Sequence, residues 1–407
     1  MTDMLLTNFA LLDVAAGELR SGYQVLIRGN TIAAVEKGID AAGVEVINFG
    51  GRTLMPGLID CHVHIAPGAV LNQPKLSLSF TAARGVMWMR QMVHRGFTTA
   101  RDAGGADAGY RKAVEARISV GPRLFVAGRA ISQTGGHGDK RWPSEPACSC
   151  GESMSSLARI ADGVPECRRA VRDELRMGAN HIKVMAGGGV SSPSDSLSHL
   201  QYSDEELLAI VDEAARQNTY CMAHVYTARG IRRAVELGIR TIEHGNFLDD
   251  ETAKVMAERN AFLVPTLVTY RVDGANGEKI GFTPEVIEKN NQVLEAGTRS
   301  LDIAARNGVN IAYGTDLAYS SKVHQPEEFL VRAEVQKPAD ILRSATLVGA
   351  EVIGMVGKLG VVAPGAFADL LVVDGNPLED LGVLQNEGAK MAAIIKDGEF
   401  IKNQLVP

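Results

Sequence analysis

The middle of this chain alternates between short strand-like segments and amphipathic helical segments, which limits the folds it can adopt. Strand-like segments begin near eight positions: Leu58, Thr98, Arg123, His181, Tyr220, Thr241, Phe262 and Asn310. Helical segments lie between most of them, as at residues 204–216, where a capping box of Ser203 and Glu206 precedes apolar residues at helical spacing. Eight strand–helix units predict a parallel sheet closed into a (β/α)8 TIM barrel, an α/β fold.

The two ends of the chain have a different pattern, because both consist of short strand-like runs separated by turns. The Asp397–Gly398 pair, for example, lies between two apolar runs and indicates a hairpin. Neither end is long enough to bury a sizeable core alone. We therefore predict one β-sandwich domain formed by residues 1–56 and 358–407, with the barrel domain at residues 57–357 inserted between them.

The composition is ordinary for a globular protein and argues against several kinds of partner. Of 407 residues, 45% are hydrophobic and 22% are charged, and the formal net charge is −6. This charge does not favour nucleic acid, and no apolar run is long enough to predict a membrane span. The first residues lack the basic and apolar regions of a signal peptide, so we expect a cytoplasmic protein. The five cysteines are irregularly spaced, and Cys148 and Cys150 are interpreted as free thiols in a loop.

Six side chains that can bind a metal lie at the ends of five of the strand-like segments. They are His62, His64, Lys183, His224, His244 and Asp316. The carboxyl ends of parallel barrel strands meet at one rim, so residues that are distant in sequence can surround a metal there. His62 and His64 are two residues apart on one strand and therefore point to the same side. Imidazole ligands favour a divalent metal such as zinc.

Lys183 changes the prediction from one metal ion to two. It lies inside the apolar run 182–185, and burial lowers the pKa of a lysine. A neutral amine can react with carbon dioxide to form a carbamate, an anionic ligand that can bridge two metals. The alternative is a lysine that reaches the barrel mouth or pairs with an acid. The strand-end histidines favour the bridge.

The other ligands then divide between the two ions. His224 and His244 end consecutive strands and are expected to bind the second ion. Asp316 ends the eighth strand, where it can contact the first ion and act as a general base. Its alternative role is to cap the helix that follows, which residues 317–319 do not strongly support.

Two segments rich in glycine, proline and serine follow the third and fourth strands. They span residues 133–163 and 187–203, and they leave the barrel at the rim where active-site loops belong. The run Gly187–Gly189 resembles a phosphate-binding loop, but no Gly-Lys-Ser/Thr sequence follows it. We predict instead that this backbone passes close to another group.

The whole pattern resembles the amidohydrolase superfamily, in its binuclear form with a carboxylated lysine. The resemblance covers essentially the whole chain, including the run Pro364–Leu370 near its end. The runs 95–105 and 132–137 are similar to a narrower, imidazolonepropionase-related group. That group includes Xaa-Pro dipeptidases and ochratoxin-hydrolysing amidases. The resemblance also implies a homo-oligomer, such as an octamer.

The resemblance assigns two substrate contacts that the residues alone do not. It implies that His137 contacts the substrate carbonyl or the oxyanion, and that Tyr226 helps to hold the α-carboxylate of the substrate. Without it, His137 is a histidine in a glycine-rich loop at the expected rim. Tyr226 is the next residue on the same face of the strand after His224.

These observations predict a metal-dependent enzyme that hydrolyses an amide bond in small substrates carrying a carboxylate. Candidate substrates are dipeptides such as Xaa-Pro and N-acyl amino acids, including ochratoxin-type amides. One alternative is a cyclic amidohydrolase or deaminase, although no helper glutamate follows His224 or His244. Another is a metal-binding scaffold without activity, which the complete set of ligand positions and the predicted base disfavour.

Overall fold

A computed structural model describes residues 3–40, 42–66, 77–141, 157–192, 195–279 and 281–405. The strands within these ranges are β1 Met4–Thr7, β2 Ala10–Asp13, β3 Glu18–Ser21, β4 Gln24–Arg28, β5 Thr31–Glu36, β6 Glu45–Asn48, β7 Thr53–Pro56, β8 Leu58–Val63, β9 Phe97–Asp102, β10 Arg123–Phe125, β11 Ala130–Ser132, β12 Ala158–Ile160, β13 Ile182–Met185, β14 Cys221–Thr227, β15 Thr241–Phe247, β16 Phe262–Val264, β17 Asn310–Ile311, β18 Leu370–Val373, β19 Met391–Lys396 and β20 Glu399–Asn403.

The helices lie mainly between the strands of the middle region. They are α1 Leu78–His94, α2 Ala108–Glu115, α3 Val164–Arg176, α4 Asp204–Arg216, α5 Ala228–Glu236, α6 Asp250–Glu258, α7 Leu267–Asn276, α8 Pro284–Arg306, α9 Glu327–Arg332, α10 Pro338–Arg343 and α11 Gly349–Val352. The predicted capping box of Ser203 and Glu206 starts α4. None of the helices in the described ranges combines the length and the apolar character that a membrane crossing requires.

The middle region is the predicted barrel of parallel strands. Strands β8, β9 and β10 form one parallel run, and β11, β13, β14, β15, β16 and β17 form another. The third barrel strand is divided into β10 and β11. The amide of Asp316 donates to the carbonyl oxygen of His62 at 2.8 Å, which joins the end of the last strand to the first. All eight predicted strand positions are confirmed.

Period-two alternation explains which side chains of the barrel strands face inward. Ile182 and Val184 belong to the apolar cluster that the strands form with the surrounding helices. Lys183 lies between them and so points to the opposite side, into the barrel. The same alternation places His224 opposite Ala223 and Val225, which join the outer cluster. The alternation of side chains along the strands therefore places Lys183 and His224 on the inner side of the barrel.

Strands from both ends of the chain share one sheet, as predicted. The six-stranded sheet has the order β20-β19-β18-β7-β2-β3, and β7 pairs antiparallel with β18, with Leu54 opposite Val372. Val372 packs in the cluster shared with the four-stranded sheet β5-β4-β1-β6. Leu371 and Val373 belong to a second cluster that includes Phe97 of the barrel. The six-stranded sheet therefore joins the small β-structure to the barrel.

The cysteines that the structure describes are buried free thiols. They are Cys61, Cys167 and Cys221. Cys148 and Cys150, interpreted above as loop thiols, lie outside the described residues.

Candidate active site

His62, His64 and Asp316 meet at the rim formed by the carboxyl ends of the barrel strands. One ligand atom from each of them lies within 4.8 Å of the others. Asp316 Oδ1 is 3.5 Å from Nε2 of His62 and 3.1 Å from Nε2 of His64. The first and eighth strands of the barrel are adjacent, which is why residues so far apart in sequence can meet.

His62 and His64 each use Nδ1 for a hydrogen bond, and Nε2 of each ring points toward Asp316. His64 Nδ1–H donates to the carbonyl oxygen of Gly104 at 2.8 Å, and His62 Nδ1–H donates to the carboxylate of Glu243 at 2.6 Å. A neutral ring with hydrogen on Nδ1 has only a lone pair on Nε2. Nε2 of both rings lies beside a carboxylate oxygen of Asp316. In the Nδ1–H form both Nε2 atoms present a lone pair there, and such a set of donors suits a bound cation.

The electrostatic environment keeps His62 and Asp316 in the forms that bind metals. Burial, together with the nearby Lys183, lowers the pKa of His62 to about 4, so its ring is neutral at physiological pH. Burial would raise the pKa of Asp316, but His62 and His64 hold it below its usual range. Neutral imidazoles and an ionised carboxylate are the forms that coordinate divalent metals.

His224 and His244 extend the group along the rim. The ring centroids of His62 and His244 are 5.0 Å apart, and those of His244 and His224 are 4.6 Å apart. His244 Nδ1 lies 2.8 Å from Thr266 Oγ1 and 4.0 Å from Asp316 Oδ2. The structure thus brings the four predicted histidines and the predicted aspartate to one place.

Lys183 is buried among these residues, with an exposed fraction of 2%. No hydrogen bond from its Nζ to another described residue is present in the structure. Burial lowers the pKa of Lys183 to about 8, although Glu243 and Asp316 favour the charged form. An amine with this pKa is neutral in roughly a tenth of molecules at pH 7, far more than an ordinary lysine.

Two residues of the group have backbone conformations that side chains rarely adopt. The φ angles of His244 and Asp316 are 74° and 53°, in the left-handed region. Such conformations are costly for residues other than glycine and are concentrated at functional sites. His244 lies within β15, next to an irregularity in its pairing with β14, and Asp316 lies in the segment that follows β17, so the backbone itself directs both side chains.

A buried ion pair under the rim supports His62, and the sequence analysis did not identify it. Arg101 Nη2 lies 2.9 Å and 3.0 Å from the two oxygens of Glu243, and Thr241 Oγ1 donates to the same carboxylate at 2.6 Å. Burial would raise the pKa of Glu243, but Arg101 and the bond from His62 lower it to about 2. The only signal in the sequence is a charged residue within each of two apolar strands.

Replacing Glu243 with glutamine is expected to lower the free energy of unfolding by roughly 3–5 kcal/mol, because Arg101 would remain buried without its counter-charge. Urea unfolding followed by circular dichroism measures this change. The exposed Glu251→Gln variant is the matched control and should differ little from the unmodified protein. Equal stability of the two variants would show that Glu243 does not balance Arg101.

The three-glycine run passes as close to other groups as predicted. A Cβ on Gly189 would lie 2.0 Å from Nδ1 of His137, and one on Gly188 would lie 1.9 Å from the carbonyl oxygen of Ser196. The carbonyl oxygen of Gly188 also accepts a hydrogen bond from His224 Nε2 at 3.3 Å. Glycine is required at these two positions because no side chain fits.

His137 lies against this glycine loop and against His224. Its ring stacks on the ring of His224, with centroids 4.1 Å apart and planes inclined by 13°. Its Nδ1 lies 3.1 Å from Ser192 Oγ. Burial, with a contribution from Lys140, lowers the pKa of His137 well below its usual range. The structure therefore places His137 at the edge of the histidine group, with a neutral ring.

Tyr226 also borders the group, with its ring edge-on to that of His224 at a centroid distance of 5.0 Å. Its ring centroid is 5.3 Å from that of His244, and its hydroxyl lies 2.9 Å from the hydroxyl of Tyr270 on α7. Burial raises the pKa of Tyr226 above its usual range, so the hydroxyl keeps its proton. The position of α7 at the rim, and with it the place of Tyr270, depends on the tertiary structure.

Comparison with solved structures gives the same fold over the full length. An amidohydrolase is 48% identical, with a TM-score of 0.96 and complete coverage of both chains. A prolidase solved in complex with N-methylphosphonate-L-proline is 46% identical, with a TM-score of 0.95, and covers 99% of this chain and 100% of its own.

Sequence comparison places the chain in a defined family. The ochratoxinase of Aspergillus niger is 34% identical over 374 residues, which are 86% of this chain and 75% of that protein. Its crystal structure superposes with a TM-score of 0.87 at 29% identity, covering 99% of this chain and 96% of that one. Residues 53–401 match the sequence profile of the amidohydrolase family. The chain belongs to the amidohydrolase family.

Proposed function

We propose that this protein hydrolyses the amide bond of small substrates that carry a carboxylate, with Xaa-Pro dipeptides as the leading class and N-acyl amino acids, including ochratoxin-type amides, as the second. The observation that carries the proposal is the convergence of His62, His64 and Asp316 within 4.8 Å at the barrel rim. The similarity to a prolidase complexed with a proline phosphonate supports the first class. The similarity to ochratoxinase supports the second.

The donor set fits two divalent metal ions, most simply zinc. His62, His64 and Asp316 would hold one ion, and His224 and His244 would hold the other. Lys183 would bridge them as a carbamate, formed when its neutral Nζ bonds to the carbon of carbon dioxide and releases a proton. When bound, the ions would act as Lewis acids toward the substrate carbonyl and make a water molecule more acidic.

The protein's own groups would then handle the proton and the substrate. An Asp316 carboxylate oxygen would take the proton of the attacking water and deliver it to the leaving nitrogen. The depressed pKa of Asp316 keeps it ionised and able to accept that proton. His137 would contact the substrate carbonyl. Tyr226, which retains its hydroxyl proton, would donate a hydrogen bond to the α-carboxylate.

A substrate screen with the zinc-loaded protein tests this function. The library contains Xaa-Xaa dipeptides, Xaa-Pro dipeptides and N-acyl amino acids such as N-aroyl-Phe, with amino acid release as the signal. We expect hydrolysis of dipeptides or N-acyl amino acids. Zinc binding without any hydrolysis would instead support the scaffold alternative. Ammonia release from purines or pyrimidines would support a deaminase.

A further inference from the structure

Asp195 is a buried carboxylate in the loop that follows the fourth barrel strand, with an exposed fraction of 5%. It accepts hydrogen bonds from three groups. The hydroxyl of Ser192 and the amide of Gly189, at 3.3 Å, contact Oδ1. The side-chain amide of Gln201 contacts Oδ2 at 2.9 Å. No positively charged side chain of the described residues bonds to this carboxylate, and Lys289 instead donates to the backbone oxygen of Asp195 at 2.7 Å.

The carboxylate determines the direction of the hydrogen bonds that lead to His137. An ionised carboxylate can only accept, so the hydroxyl hydrogen of Ser192 points to Asp195. The oxygen of Ser192 then offers a lone pair to Nδ1 of His137, 3.1 Å away. His137 must therefore carry its hydrogen on Nδ1. Its Nε2 has no hydrogen-bond partner among the described residues and remains open.

The same loop also fixes the position of the ring. The backbone amide of His137 donates to Oε1 of Gln201 at 3.0 Å, so Gln201 links His137 to Asp195 directly. Gly189 packs against the ring, and His224 stacks on its face. A ring held by its backbone, its face and one nitrogen has little freedom to rotate. Such support is what aligns a catalytic group before substrate binds.

We propose that Ser192 and Asp195 are positioning residues for the hydrolysis, acting through His137. The hydrogen-bonded series Asp195–Ser192–His137, hereafter the relay, fixes the Nδ1–H tautomer of His137 and leaves Nε2 as the nitrogen that meets the substrate. This proposal rests on the function proposed above, because His137 is assigned there to the substrate carbonyl. The contact from Nδ1 to Ser192 is the same whether or not Nε2 carries a hydrogen, so the ring keeps one orientation toward the carbonyl.

The tautomer can be read directly from nitrogen chemical shifts. The zinc-loaded full chain is labelled with ¹⁵N-histidine, and its nine histidines are resolved by long-range ¹H–¹⁵N correlation. The His137→Gln variant identifies the signals of His137 by their loss. We expect a pyrrole-like Nδ1 and a pyridine-like Nε2. A pyridine-like Nδ1 in the unmodified protein would overturn the relay, whether or not any variant folds.

Kinetics test whether the relay matters to the reaction. Ser192→Ala is expected to lower kcat roughly 10- to 100-fold, the usual cost of losing a group that orients an active-site side chain, while KM changes little. Ser192→Thr, which keeps the hydroxyl, should restore part of the rate. Ser198→Ala is the matched control, because Ser198 is exposed on the same loop and bonds to Ser196.

The outcomes separate this proposal from the proposed function. Unchanged kcat in Ser192→Ala, with the fold confirmed by circular dichroism, would overturn the positioning role. Complete inactivity of the unmodified protein toward every amide would count against the proposed function. The spectrum of His137 would still decide the tautomer in that case.

Discussion

Lys183→Ala is expected to lower kcat/KM by roughly 10³-fold or more, the scale of losing an essential catalytic group. Lys183 is buried beside His62 and Asp316, and burial lowers its pKa to about 8. In the proposed site its carbamate would be the protein ligand shared by both ions. Alanine cannot form a carbamate, so the variant should also bind less zinc than the unmodified protein.

Three measurements check this expectation. Zinc content is determined by mass spectrometry after gel filtration, and activity is measured with an Xaa-Pro dipeptide. Carbon-13 NMR after growth with labelled bicarbonate should show a carbamate signal that Lys183→Ala lacks. Lys254→Ala is the matched control, because Lys254 is exposed on α6. An active Lys183→Ala variant with full zinc content would disprove the bridge.

Asp316→Asn is expected to reduce kcat by about 10²–10⁴-fold, the contribution of a positioned general base. The carboxylate lies 3.1 Å from His64 Nε2 and 3.5 Å from His62 Nε2. An asparagine has nearly the same shape but cannot accept the proton of the attacking water, and it is a weaker metal ligand. The variant should therefore fold normally and turn over slowly.

Single-turnover assays with saturating zinc separate loss of the base from loss of metal. The exposed Asp302→Asn variant, which removes one half of a surface ion pair on α8, is the control and should keep the unmodified rate. If Asp316→Asn retained the unmodified kcat at equal metal content, another group would have to be the base.

The barrel and the positions of the ligand candidates could be predicted from local sequence patterns. Lys183 shows why, because its apolar neighbours indicate a strand and the period of two then turns it inward. His62 and His64 follow the same rule. Asp316 is predictable since it comes a few residues after the eighth strand, and parallel barrel strands end at one rim.

The groups that support the ligands could not be predicted in the same way. Glu243 and Arg101 lie on β15 and β9, and only the closed barrel places their side chains together. Ser192, Asp195 and Gln201 belong to a loop that contacts His137. A loop has no periodic sequence pattern from which its conformation could be predicted. Their roles depend on contacts between separate loops, which a single sequence does not specify.

The pairing of β7 with β18 has a consequence for how the protein acquires its site during synthesis. Strand β7 continues through Gly57 into β8, which carries His62, yet its antiparallel partner is at Leu370–Val373. That pairing cannot form until nearly the whole chain has left the ribosome. Closing so long a loop is entropically costly and slows folding. Pairing on this side of β7 is thus a late event, and until then β7 has only its pairing with β2, and β8 its pairing with β9.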